Sequence, residues 1–264
     1  MFATAAGPYN YVLAAPHVAR TACRMDHGSK MQWLARLTAL VGAVAAIVYA
    51  YYSQYRPDPS SYPVHGIDVS HHQGPIRWSE VASSGGVQFA YIKATEGADC
   101  RDSRFLENWT AAEAAGVRRG AYHFYTFCRP AVAQARNFTD RVPREAGALA
   151  PALDLEFGGN CNARPAREAA RAELTAYSDA MLTAYGSRPV LYVTDEFLST
   201  YGDVLPAHSG LWIRSIAWAP RSRLGWVYWQ FHNRGHVQGI DGPVDLNVFN
   251  GSPADFQKLT VIIH

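Results

Sequence analysis

The chain is short of cysteine and of charge, and both shortages narrow what it can be. Its 264 residues include four cysteines, Cys23, Cys100, Cys128 and Cys161, with no CxxC pair, which argues against a zinc site. Three of the four fall in the part that reads as globular, which can therefore hold one disulfide at most. Cys128 and Cys161 each follow closely on a predicted strand and are the favoured pair, with Cys100 competing, and spacing leaves the choice open. Charged residues make up only 17% and balance to a net +2, too even to argue for nucleic-acid binding, which needs a concentrated basic patch. No HExxH or similar spacing gathers His71, His72 and His123 into a metal site, and no metal or cofactor is expected. Internal repeats and low-complexity tracts are absent as well.

What the chain does have is apolar residues, at 48%, enough for a large core, and a length suited to one barrel domain with an N-terminal addition. Aromatic residues reach 12%, which serves a barrel core and equally supplies flat platforms for the apolar faces of sugar rings. The stretch 37–52 (LTALVGAVAAIVYAYY) carries no charge and follows Arg36. Counted over 33–52 it approaches the roughly 20 residues that a spanning helix needs, so it reads as a signal anchor. The small residues around Val48-Tyr49-Ala50 allow a cleaved signal peptide instead. Residues 1–32 show no periodicity and read as disordered or as a mis-assigned start, with Met31 offering a shorter basic lead. The segment 53–63 is rich in Pro, Ser and Tyr and reads as a linker. Either reading of the apolar stretch places the domain after it outside the cytoplasm, where a disulfide can persist.

Over 64–260 short apolar runs alternate with helical patterns. Strands are predicted at 65–70, 87–93, 119–125, 149–157, 188–194, 211–215, 226–231 and 244–249, and helices at 78–84, 105–115, 130–141 and 165–185. Strand-helix alternation argues for a parallel sheet, and eight such strands for a closed TIM-like (β/α) barrel. In such barrels the chemistry sits at the C-terminal ends of the strands. Acidic residues occupy those ends. Asp154 and Glu156 lie two apart in an apolar strand, so both face the same side. Asp68 ends the first strand, and Asp245 lies in the last strand, which a closed barrel sets beside the first. Carboxyls that close raise one another's pKa, and an acid that keeps its proton near neutral pH is what glycosidic cleavage requires.

These residues stand in segments that resemble glycoside hydrolase family 25, the Chalaropsis-type lysozymes. The likeness runs from about 66 to 251 through GIDVSHHQG (66–74), YIKATEG (91–97), GAYHFY (120–125), LDLE (153–156), WQF (229–231) and VDLNVFNG (244–251), in the family's order. It implies an irregular barrel of eight strands with about five helices and hydrolysis of the β-1,4 bond from N-acetylmuramic acid to N-acetylglucosamine in peptidoglycan. By the resemblance Glu156 is the general acid. Asp154 orients or polarises the substrate's N-acetyl group where that group participates, direct displacement being the alternative, and Asp68 and Asp245 tune the pair and hold sugar or water. Lys93, Tyr122, Tyr192, Trp229 and Gln230 are the expected substrate contacts, with His71 and His72 on the rim. A monomer is expected, whose partners are peptidoglycan and, through the apolar segment, a membrane.

Overall fold

The computed structural model describes residues 27–159, 161–222 and 224–259. The chain divides into a unit that ends at Val48 and a unit that begins at Tyr49. Helix α1 (His27–Gln54) begins inside the stretch expected to be disordered or mis-assigned, and residues 1–26 lie outside the described ones. Its part Lys30–Gln54 has a mean hydropathy of 1.8, and none of its apolar window is buried. It is thus long and apolar enough to cross a membrane. The segment expected to be a linker differs from that reading. After α1 ends, Tyr55 and Tyr62 pack on Trp229, with ring centroids 6.2 and 5.5 Å away, and a turn at Asp58 folds the prolines between them.

Eight strands close the barrel of the second unit. They are β1 (His65–Val69), β2 (Phe89–Glu96), β4 (Arg118–Phe124), β5 (Ala152–Leu155), β6 (Val190–Val193), β7 (Leu211–Arg214), β8 (Tyr228–Gly235) and β9 (Val244–Phe249). The two-residue β3 (Cys100–Arg101) folds back on the end of β2. Helices α2 (Trp78–Ser83), α3 (Phe105–Ala114), α4 (Ala131–Thr139), α5 (Arg167–Tyr185), α6 (Asp195–Tyr201) and α7 (Pro253–Gln257) complete the unit. Strands β1, β2 and β4 to β8 run parallel, as alternation with helices predicts. The all-parallel expectation fails at β9, which is antiparallel to both β8 and β1. Only residues 236–243 join β8 to β9, too few for the crossover of a dozen or more residues that a parallel return needs.

Alternation along the strands builds two concentric cores. Outward-facing residues such as Ile67, Ile92, Leu153, Leu191, Ile213 and Phe231 meet the helices. Inward-facing Phe89, Tyr91, Tyr192, Trp212, Tyr228 and Phe249 fill the barrel itself. The interior has room for these rings because β1 and β4 carry glycine opposite them. A Cβ on Gly66 would stand 2.4 Å from the Phe89 ring, and one on Gly120 would stand 2.4 Å from that of Tyr91. The aromatic plug is continuous, with Tyr91 and Trp212 centroids 4.9 Å apart and Phe89 and Tyr228 centroids 5.1 Å apart. It forms a floor on which the open end of the barrel rests.

Candidate active site

One inward step beyond that floor, toward the C-terminal ends, the inward residues turn polar. Gly66 gives way to Asp68, Tyr91 to Lys93, Ala152 to Asp154, Trp212 to Arg214 and Tyr228 to Gln230. The reversed β9 reads the other way, from Asp245 at the mouth through Asn247 to Phe249 in the floor. Reversal is what brings Asp245 to this end. It pairs directly with Asp68, whereas at the start of a parallel strand it would lie at the far end of the barrel.

The mouth holds a cavity of about 290 Å³ lined by Asp68, Asp154, Glu156 and Asp245, together with Lys93, Tyr122, Tyr192 and Gln230. Eight of the nine residues singled out from the sequence therefore share one space. Trp229 does not join them. Alternation on β8 sends Gln230 inward and Trp229 outward, where it is buried against Tyr55, Tyr62 and Phe231 and its Nε1 donates to the Ser215 carbonyl oxygen at 2.6 Å. Of the rim histidines, His72 lines the cavity, and His71 turns its Nδ1 to the buried Asp102 carboxylate at 2.8 Å. Glu156 stands just past the end of β5 rather than within it.

Sequence reasoning missed several partners. Asn247, fully buried on β9, donates to Asp68 Oδ2 at 2.7 Å and accepts from Trp212 Nε1 at 2.8 Å. Gln230 Nε2 donates to the same Asp68 oxygen at 3.0 Å, and its own oxygen accepts from the Tyr192 hydroxyl at 2.9 Å. Asp68 is thus fixed by a chain of neutral donors, with no cation in direct contact among the described residues. Arg214 Nη1 lies 3.6 Å from Glu156 Oε2. Glu96 pairs with Lys93 Nζ at 2.7 Å. The signal for Asn247 and Arg214 was period two: each lies two residues from another inward residue of its strand, Asp245 and Trp212.

Burial is the largest influence on all four acids, and it raises every one of their pKa values. Asp154 is pushed well above the ordinary carboxylate range, next by the charge of Glu156 and then by that of Asp68. Its Oδ1 is buried and has no hydrogen-bond partner among the described residues. Glu156 is raised too, although Arg214 pulls it down. Asp245 is pushed up to about 9 by burial and by Asp68 beside it. Tyr122 and Tyr192 also titrate far above their usual range, first through burial and then through the acids, so their hydroxyls stay protonated as donors.

The disulfide joins Cys128 to Cys161, with Cα atoms 5.9 Å apart, and Cys100 is free and exposed. It staples the loop after β4 to the loop after β5, the segment that carries Glu156.

Carboxyls whose pKa values burial raises in a recessed mouth, above an aromatic floor, equip a barrel for acid-assisted hydrolysis, and the class defined here is that of a barrel glycoside hydrolase. The model of glycosyl hydrolases family 25 matches residues 67–240. Lysozyme M1 of Streptomyces globisporus is 36% identical over 209 residues, which cover 72% of this chain and 69% of that protein. A family 25 glycosyl hydrolase from Bacillus anthracis superposes with a TM-score of 0.72 at 34% identity, covering 78% of this chain and 97% of that one. The bacterial lysozyme from Streptomyces coelicolor does so at 0.67 and 35%, covering 74% and 96%. The chain belongs to glycosyl hydrolase family 25.

Proposed function

We propose that this protein is a muramidase that hydrolyses the β-1,4 bond between N-acetylmuramic acid and N-acetylglucosamine in peptidoglycan. The observation that carries the reading is the gathering of Asp68, Asp154, Glu156 and Asp245 in one cavity whose burial raises all four pKa values. Glu156, nearest the solvent side and just past β5, is the general acid. It gives its proton to the glycosidic oxygen as the bond to C1 breaks. The substrate's own acetamido oxygen then attacks C1, a recognised departure from the two-carboxylate scheme. Asp154 orients that acetamido group through the buried Oδ1 that lacks a protein partner. Glu156, now ionised, takes a proton from the water that opens the ring intermediate, so its proton returns and the product is a reducing sugar.

Asp68 and Asp245 share a proton behind the pair and hold sugar or water in place. Tyr122, Tyr192, Lys93 and Gln230 contact the sugar, and His72 lines the rim. Helix α1 serves as a membrane anchor or as an export signal, with the barrel on the extracytoplasmic side.

The test is digestion of purified peptidoglycan by the full chain in mild detergent, wild type against Glu156→Gln. Muramic-acid reducing ends from the wild type, reduced about 10²–10⁴-fold in a folded variant, are expected. Release of N-acetylglucosamine reducing ends would overturn the bond assignment. Cleavage of chitin with none of peptidoglycan would overturn the substrate. Binding without cleavage by a folded wild type would make the barrel a wall-binding module.

A further inference from the structure

Of the barrel's tryptophans, Trp78, Trp109, Trp212 and Trp229 are buried and Trp226 is partly covered, but Trp218 is 52% exposed. It stands on the loop from β7 to β8, which leaves the barrel at the same end as the acids. The backbone just before it is held in an unusual shape. Ala217 has φ +66°, a region that side-chain-bearing residues rarely adopt, and its N–H donates to the Phe231 carbonyl oxygen at 3.1 Å. The Ser215 N–H donates to the Gln230 carbonyl oxygen at 3.0 Å. The loop is therefore pinned to β8 on both sides of Ile216, and Trp218 projects from a fixed base. Tyr52 meets its ring in a T-shaped contact at 6.2 Å.

Beside the indole lies a cleft of about 240 Å³ lined by Asp195, Ser215, Trp218, Arg221 and Ser222, with Leu198, Ile213 and Pro220 as its apolar wall. Asp195 opens α6, which follows β6, so this cleft too is built from strand-end loops. It combines an exposed aromatic face with a carboxylate, two hydroxyls and a guanidinium. Sugar rings need that combination, since they present apolar faces and a rim of hydroxyls and amides. The cleft and the acids share the C-terminal ends of the strands: Arg214 points into the barrel and meets Glu156, and the next residue, Ser215, lines the cleft on the outer side of β7. We infer that Trp218 and this cleft form an accessory subsite that holds a distant sugar unit of the glycan strand while the acids act further along it. The inference rests on the glycan-strand reading above. Leu224 on the same loop is also exposed, but a lipid surface would favour a convex apolar patch over a concave cleft lined by Asp195 and two serines.

The subsite adds affinity only for substrates long enough to reach it. The test uses the full chain in mild detergent with Trp218→Ala, Trp218→Phe and the surface control Leu106→Ala. Each is assayed on long soluble glycan strands and on a muramic-acid tetrasaccharide. The preference in kcat/KM for long over short should fall about tenfold in Trp218→Ala, through KM, and recover largely in Trp218→Phe, a loss typical of one buried aromatic contact. It should hold in Leu106→Ala. An unchanged preference in a folded Trp218→Ala would overturn the inference. Cosedimentation with insoluble peptidoglycan separates this inference from the parent reading. If the wild type cleaves no glycan, the muramidase reading fails. Weaker sedimentation of Glu156→Gln with Trp218→Ala than of Glu156→Gln alone would still support the subsite, and equal sedimentation would overturn it.

Discussion

Replacing Asp245 by Asn should make the protein more stable, and more so the higher the pH. Asp245 sits opposite Asp68 in the β1–β9 pairing, and burial and that neighbour push its carboxyl from 3.8 up to about 9. Between those values the folded chain holds a proton that the unfolded chain has released. The folded state then binds more protons, so stability is full below the ordinary carboxylate pKa and is lost as pH rises toward about 9. One proton costs at most about 1.4 kcal/mol per pH unit, so a gap of about five units (9 minus 3.8) sets a ceiling near 7 kcal/mol. Asp68 competes for the same proton and the cavity is open to water, which brings the expected figure to about 2–4 kcal/mol. Asn keeps an N–H donor for Asp68 and never ionises. Asp245→Asn should thus match the wild type near pH 4 and exceed it by about 2–4 kcal/mol near pH 9. Urea unfolding followed by tryptophan fluorescence in mild detergent, repeated across that range, reads the difference. Parallel stability curves for the two proteins would refute a shared, buried proton at this site.

Asn247→Leu should cost about 2–5 kcal/mol, since it strands the buried Trp212 N–H and removes a donor to Asp68; the loss, read by urea unfolding, should grow with pH because Asp68 then holds its proton more tightly. Arg214→Met removes the cation that lowers the Glu156 pKa, so the alkaline limb of the kcat/KM profile should move to higher pH. Changing Cys128 and Cys161 together to Ser opens a loop of 33 residues and should cost about 3–4 kcal/mol, seen as a lower Tm. Activity should fall alongside, because that loop carries Glu156.

Much of the barrel was legible because its strands are short, apolar and separated by helices with clear ends, such as the one that stops at Gly186. The acids were legible for a related reason: Asp154 interrupts a strand that is otherwise apolar on both faces, and such an interruption has few uses. The direction of β9 was not legible from hydrophobic pattern, which is the same for parallel and antiparallel strands; only the shortness of 236–243 records it. Trp229 misled because an aromatic residue beside Gln230 reads the same whether it faces the site or the outer layer, and the phase of alternation on β8 decides. Asn247 was passed over for want of charge, though it braces Asp68. Arg214 escaped because its partner Glu156 follows β5, two strands away in the barrel, and Glu96 because it lies beyond the predicted end of the second strand.

The reversed last strand also sets the order in which the protein becomes an enzyme during synthesis. Strand β9 leaves the ribosome after every other strand, yet it supplies both Asp245 and Asn247 to the mouth and closes the ring between β8 and β1. A nascent chain that has emerged as far as β8 has Glu156 and Asp154, but it has an unclosed wall and an Asp68 without its main brace. Fragments from interrupted translation share that defect. A hydrolase of this design therefore has no complete active centre until its final strand is in place.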